Sequence, residues 1–113
     1  MSSGLVVSSD GTLIAYVSVA HVFALQSDGR YLAAIPSDNR KQFTGIAFHP
    51  SGRYLAATSN DKTVKLYDTT SWEVARTFTW DIGRMRSIAF SPDGTLAAAG
   101  SDSGKVVVWD VDV

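Results

Sequence analysis

The chain has 113 residues, 45% of them hydrophobic and 19% charged, the composition of one ordinary globular domain or a piece of one. That composition excludes a solvated tail, a collagen-like rod and a long coiled coil. Ten Lys and Arg against eleven Asp and Glu leave a formal charge of -1, which excludes a broad electrostatic attraction to nucleic acid or to an anionic bilayer.

There is no Cys, so a disulfide framework and a thiolate zinc site are both excluded. The first apolar stretches, Leu5 to Val7 and Leu13 to Ala20, are separated by Asp10-Gly11 and interrupted by Ser, too broken for a spanning helix. They also lack the basic segment that opens a signal peptide. The expectation is a soluble, unprocessed chain with no membrane partner and the cytoplasm as its default location.

Taken in order, the chain repeats itself. A first copy begins at Leu5, where VVSSDGTLIAYV carries Asp10-Gly11, and His21 begins a further predicted strand. The stretch SDGRYLAAIPSDNRKQFTGIAF then runs parallel to TTSWEVARTFTWDIGRMRSIAF, which starts at Thr69. The segment from Ile46 to Asp68, IAFHPSGRYLAATSNDKTVKLYD, lies without a gap on Ile88 to Asp110, IAFSPDGTLAAAGSDSGKVVVWD, at an offset of 42 residues. GRYLAA occurs at Gly29 to Ala34 and again at Gly52 to Ala57, which leaves open a rival register with a shortened first repeat. The even spacing is the reading taken.

Within each copy, short runs rich in Val, Ile, Leu, Phe, Tyr and Ala are bounded by Asp-Gly, Ser-Gly or Asn-Asp pairs, the pattern of antiparallel strands joined by tight turns. In the second copy the strands are expected at Thr44 to Phe48, Tyr54 to Thr58, Thr63 to Tyr67 and Glu73 to Thr77. No window sustains the apolar spacing of a helix, so the fold class is all-β.

Val-Val-Trp-Asp at Val107 to Asp110, Leu-Tyr-Asp at Leu66 to Asp68, and the phrases IAFHPSG and IAFSPDG together resemble the WD-repeat family. The resemblance implies a partial β-propeller of about three four-stranded antiparallel blades, near 5–43, 44–85 and 86–113, the last lacking its outer strand. A closed ring of this family has roughly six to eight blades. An open arc would expose two apolar lateral faces, and three resolutions remain open: a homodimer closing a ring, completion by blades of another chain, or origin as an excerpt of a longer protein.

Many blades of the family carry a buried network of His, Ser or Thr, Asp and Trp. Here it is broken. Asp61 and Trp109 fill two of those roles in different copies, the His position falls at about Asp38 and Asp81, the Ser position at Ala57 and Ala99, and Ser103 replaces the turn Asp of the third copy. The blades are therefore expected to depend on Phe48, Leu55, Leu66, Phe78, Ile88, Phe90 and Trp109.

No catalytic, metal or cofactor site is expected. His49 reads as a solvated turn residue, and His21 has no His or Glu at ligand spacing. GSDSGK at Gly100 to Lys105 is one residue short of a phosphate loop and has no helix after it. Ser59 to Lys62 and Ser37-Asp38-Asn39 imitate two penicillin-binding elements in reversed order. Asp10, Asp28, Asp93 and Asp102 stand beside Gly or Ser as turn carboxylates.

The resemblance places partner contacts on the rim formed by the loops entering the first strand of each blade and joining its second and third strands. By position this rim holds Arg40, Lys41 and Gln42, then Trp80, Asp81, Arg84 and Arg86, with Asn60 and Asp102 in the turns. Trp80 flanked by Arg has hot-spot composition, or else folds back as a lid on its blade. The function implied is a non-catalytic protein-protein interaction scaffold, with protein partners and no nucleic acid. The alternatives are a truncated or vestigial propeller fragment and an enzymatic propeller, the last opposed by a composition of two His and one Glu.

Overall fold

A computed structural model describes residues 4–18, 20–36 and 42–111. The described residues form eleven strands: β1 (Leu5–Val7), β2 (Leu13–Ser18), β3 (His21–Gln26), β4 (Tyr31–Pro36), β5 (Phe43–Phe48), β6 (Tyr54–Ser59), β7 (Thr63–Asp68), β8 (Val74–Thr79), β9 (Met85–Phe90), β10 (Leu96–Ser101) and β11 (Val106–Asp110). They pair strictly with their sequence neighbours into three antiparallel sheets, β1-β2-β3-β4, β5-β6-β7-β8 and β9-β10-β11. This is the all-β, partial-propeller architecture expected. No helix among the described residues is long and apolar enough to cross a membrane.

The turns explain the strand ends. Gly11, Gly52 and Gly94, each at a φ of 75 to 77°, close the first hairpin of the three sheets. That left-handed conformation costs glycine nothing and a residue with a Cβ a good deal. In two of these turns a carboxylate holds the chain: Thr12 N–H donates to Asp10 Oδ1 and Thr95 N–H to Asp93 Oδ1, both at 3.0 Å. Asp28 accepts from Arg30 N–H in the same way, whereas the carboxylate of Asp102 turns toward Arg86.

Strand positions differ from the sequence reading by one or two residues at the ends. β8 starts at Val74 because Asp68 N–H donates to Glu73 O (2.9 Å) and Trp72 takes a left-handed φ of 59°, keeping Glu73 in the turn. It runs on to Thr79 because Thr63 still pairs there. β5 gains Phe43, paired with Ser59 across a bulge.

Two apolar clusters lie between the sheets. One joins Ala15, Val22 and Ile35 of the first sheet to Ile46, Leu55 and Tyr67 of the second. The other joins Ala56, Val64 and Leu66 of the second sheet to Met85, Ala97 and Ala99 of the third. Of the side chains expected to carry the packing, Leu55 and Leu66 are fully buried. Phe48, Phe78, Ile88, Phe90 and Trp109 are half-buried around them. The alternation of strand side chains assigns the two clusters to opposite faces of the middle sheet.

The closest approach of two sheets is β5 against β9. A Cβ at Gly45 would stand 3.0 Å from Arg86 O and 3.2 Å from Ser87 Cα. Beside it Thr44 Oγ1 donates to Met85 O at 2.6 Å. Gly45→Ala should force these strands apart and lower stability by about 1–3 kcal/mol, read as a fall in Tm with an unchanged strand signal in the far ultraviolet.

Candidate partner-binding rim

Two equivalent backbone clamps shape the rim. In the middle sheet Asn60 N–H, in the β6–β7 turn, donates to Gln42 O at 3.0 Å. In the third sheet Asp102 N–H, in the β10–β11 turn, donates to Arg84 O at 2.9 Å. Each clamp ties the chain entering a sheet's first strand to the turn between its second and third, so these residues share one edge of the molecule. Ser103 Oγ donates to Ile82 O (2.6 Å), adding a second tie to the third sheet.

The side chains then sort by exposure. Gln42, Asp81, Arg84, Arg86 and Asp102 are exposed and Asn60 is half-buried. Arg84 and Arg86 project on either side of buried Met85, and Arg86 Nη2 lies 3.8 Å from Asp102 Oδ2. This pair is solvated on both sides, so it orients a charge more than it stabilises the fold. Arg40 and Lys41 fall outside the described residues, as does Asp38.

Trp80 is placed differently from its charged neighbours. Its ring stacks parallel to Phe78 at 6.4 Å and tilts against Trp109 at 5.3 Å, while Arg76 lies 5.3 Å above the Phe78 ring. The cluster bridges β8 of the middle sheet and β11 of the third. Trp80 Nε1 and Trp109 Nε1 are buried without a hydrogen-bond partner, as is Asn60 Oδ1. For Trp109 the sequence supplies the reason, since the residues facing it on β10 are alanines.

Asp61, the turn carboxylate of the middle sheet, is half-buried. Burial pushes its carboxyl up, but the hydroxyl and N–H of Thr63, the nearby Lys65 ammonium and Ser59 outweigh this and hold it below the usual carboxylate range. Its Oδ2 is 3.7 Å from Lys65 Nζ.

His49 corrects the sequence reading. Instead of a solvated turn residue it is buried, 8% exposed, between two sheets. Nδ1 accepts from Ser51 N–H (3.1 Å), so Nε2 carries the proton and donates to Gly94 O at 2.9 Å. The ring packs edge-on against Phe90 at 5.1 Å. The Gly94 turn lies directly over the ring: a Cβ there would stand 2.6 Å from the imidazole. His49 lines a shallow apolar cleft of about 350 Å³ with Val6, Phe48, Pro50, Phe90 and Pro92, but both of its nitrogens are committed. His21 is exposed and stacks on Phe23. Among the described residues no group of three His, Asp or Glu is placed to hold a metal ion.

The family model "WD domain, G-beta repeat" matches residues 37–68 and 72–110, more than half of the chain. The chain belongs to the WD-repeat family. Protein HIR1 of Mycosarcoma maydis is 42% identical over 74 residues, which cover 59% of this chain and 7% of that protein. The probable cytosolic iron-sulfur protein assembly protein 1 of Yarrowia lipolytica is 41% identical over 64 residues, 54% of this chain and 19% of that one. A chain in the crystal structure of a mitotic checkpoint complex superimposes on 98% of this one with a TM-score of 0.87 and 20% identity, this WD-repeat chain covering 33% of its length. The chain thus spans between 7% and 33% of the length of these three proteins.

Two outcomes follow from the site geometry. His49→Ala removes the donor to Gly94 O and the ring under Phe90, and should lower stability by about 1–3 kcal/mol in thermal or urea unfolding. The carboxyl of Asp93 is held at about 2, against the usual 3.8, first by Thr95 N–H and then by the hydroxyls of Ser91 and Thr95. A depressed carboxyl stabilises the fold above pH 3.8, and this contribution fades as the pH falls toward about 2. Asp93→Asn should therefore be less stable at neutral pH, with a shallower loss of stability across that acid window in pH-dependent urea unfolding.

Proposed function

We propose that this WD-repeat chain is a non-catalytic protein-protein interaction scaffold that contributes a binding rim to a larger or oligomeric propeller in the cytoplasm. The observation that carries the reading is the repeated clamp, Gln42 to Asn60 and Arg84 to Asp102, which holds exposed polar and charged side chains on one edge. Rigid strands that present adaptable loops are the usual way a fold offers a surface to a partner. The cytosolic iron-sulfur assembly relative and the checkpoint-complex neighbour carry names of this kind, and they support the location and the assembly role as analogy.

In this reading Asp81, Arg84 and Arg86 meet the partner, with Asn60, Asp102 and Gln42 around them. Trp80 serves the rim by bracing it: its ring fixes the loop that carries Asp81 and Arg84. The partner is a protein, because the near-neutral net charge gives no counterion-release drive toward nucleic acid.

The test uses exposed positions so that folding is not at stake. Arg84→Ala and Asp81→Ala should each weaken binding of a partner identified by crosslinking and mass spectrometry by about tenfold or more, whereas Asp28→Ala, away from this rim, should not. Equal affinity of all three variants would remove the rim from the proposal.

A further inference from the structure

The charged side chains are sorted between two edges of the molecule. The rim is one. The other holds the first turn of each sheet, where Ser9 Oγ donates to Pro50 O and His49 Nε2 to Gly94 O. The β3–β4 and β7–β8 turns are tied to that edge, Ser27 N–H donating to Thr12 O and Thr69 N–H to Arg53 O. Among the described residues this opposite edge carries Asp10, Asp28, Asp68, Glu73, Asp93 and Asp110 against Arg30 and Arg53, a net charge of -4. The rim carries Lys62, Arg84, Arg86 and Lys105 against Asp81 and Asp102, a net charge of +2, to which the ion pair of Asp61 and Lys65 adds nothing. The overall charge of -1 conceals this separation.

The acids of the opposite edge are accounted for by their turns, since Asp10, Asp68 and Asp93 each accept from the backbone N–H two residues ahead. The rim cations have no such local reason. Lys62, Arg84 and Lys105 pair with no carboxylate among the described residues, and Arg86 has only its solvated contact with Asp102. Lys62 takes a left-handed φ of 71°, where the equivalent position of the third sheet, 42 residues on, is Gly104. Arg84, Arg86 and Lys105 gather round one carboxylate. Asp102 N–H donates to Arg84 O, Asp102 Oδ2 faces Arg86, and Lys105 closes the same turn by accepting from Ser101 N–H at 2.9 Å. All three cationic side chains are exposed, so two positive charges remain there without a counter-ion.

We infer that the rim partner docks through an acidic segment, a short run of Asp and Glu side chains whose carboxylates take up Arg84, Arg86 and Lys105 and continue toward Lys62. This inference rests on the reading of the rim as the partner surface and names the chemistry of what it holds. A guanidinium matches a carboxylate with two parallel N–H donors, and the contact of Arg86 with Asp102 is weak enough to yield to an incoming acid. Charge of one sign on the rim and the other on the far edge also orients an acidic partner as it approaches. A nucleic acid fits less well, because Asp81 and Asp102 interrupt the patch and the far edge repels a long polyanion. Asp81 lies beside the acidic run and meets a donor that flanks it.

The test is fluorescence anisotropy of labelled hexaglutamate with the 113-residue chain, beside hexaglutamine and a hexathymidine oligonucleotide. Hexaglutamate should bind and hexaglutamine should not, and raising the salt from about 50 to about 300 mM should weaken the complex roughly fivefold or more. Arg84→Glu and Lys105→Glu should each raise Kd about tenfold or more, whereas Arg53→Glu on the opposite edge should leave it within about twofold. All three side chains are exposed, so the far-ultraviolet strand signal should persist. Equal binding of hexaglutamate and hexaglutamine, indifference to the two rim reversals, or tighter binding of the oligonucleotide would overturn the inference. A crosslinked partner that needs Arg84 while hexaglutamate fails to bind would keep the rim and remove the acidic segment. Hexaglutamate held by Arg84 and Lys105, beside a partner indifferent to Arg84→Ala, would overturn the rim reading alone.

Discussion

Apolar side chains of one sheet packed against those of the next are the contact on which the rest of this molecule depends. Leu55 and Tyr67 cluster with Ala15, Val22 and Ile35 of the first sheet, and Phe90 and Trp109 pack against the cluster that holds Ala56, Val64 and Leu66 of the middle one. A single three- or four-stranded sheet has too little apolar surface to hold itself together, so each becomes stable only when its neighbour covers it. Gly45 lets β5 come within backbone distance of β9, and that approach fixes where the first strands converge.

Polar groups are fitted around this packing more than they create it. Thr44 ties β5 to Met85 O, and His49 ties the first turn of the middle sheet to the corresponding turn of the third. Both bonds cross between sheets where apolar contact has already brought the backbones together. By contrast, the indole N–H groups of Trp80 and Trp109 end in apolar surroundings. An unpaired buried donor costs more than a made bond returns, so these rings are retained for the area they cover. The family's buried network is thus replaced by aromatic contact at the junction of the second and third sheets.

The same junctions place the rim. Because each turn between second and third strands is clamped to the chain entering the first, the loops cannot drift independently of the sheets. Arg84 sits at the clamp itself and Arg86 on β9, while Trp80, next to Asp81 in sequence, packs on Phe78 and Trp109.

The strands, their order and the turns between them were legible in the sequence because they are local: alternation has a period of two, and Asp-Gly or Ser-Gly pairs mark left-handed turns wherever they occur. The 42-residue offset likewise revealed three similar units, since equivalent positions in stacked repeats face the same demands. Three features were decided only by the tertiary structure. GRYLAA opens outer strand β4 in the first sheet and the fully covered second strand β6 in the middle one, so identical residues are exposed in one place and buried in the other. His49 looked like a turn residue because nothing local shows that Phe90 and Gly94 will close over it. Trp80 stood in a polar loop, and the meeting of β8 with β11 adds the Trp109 ring to Phe78 as its packing partners. In each case burial depends on where the strand sits in its sheet or on what another sheet brings to it, a quantity that no window of sequence contains.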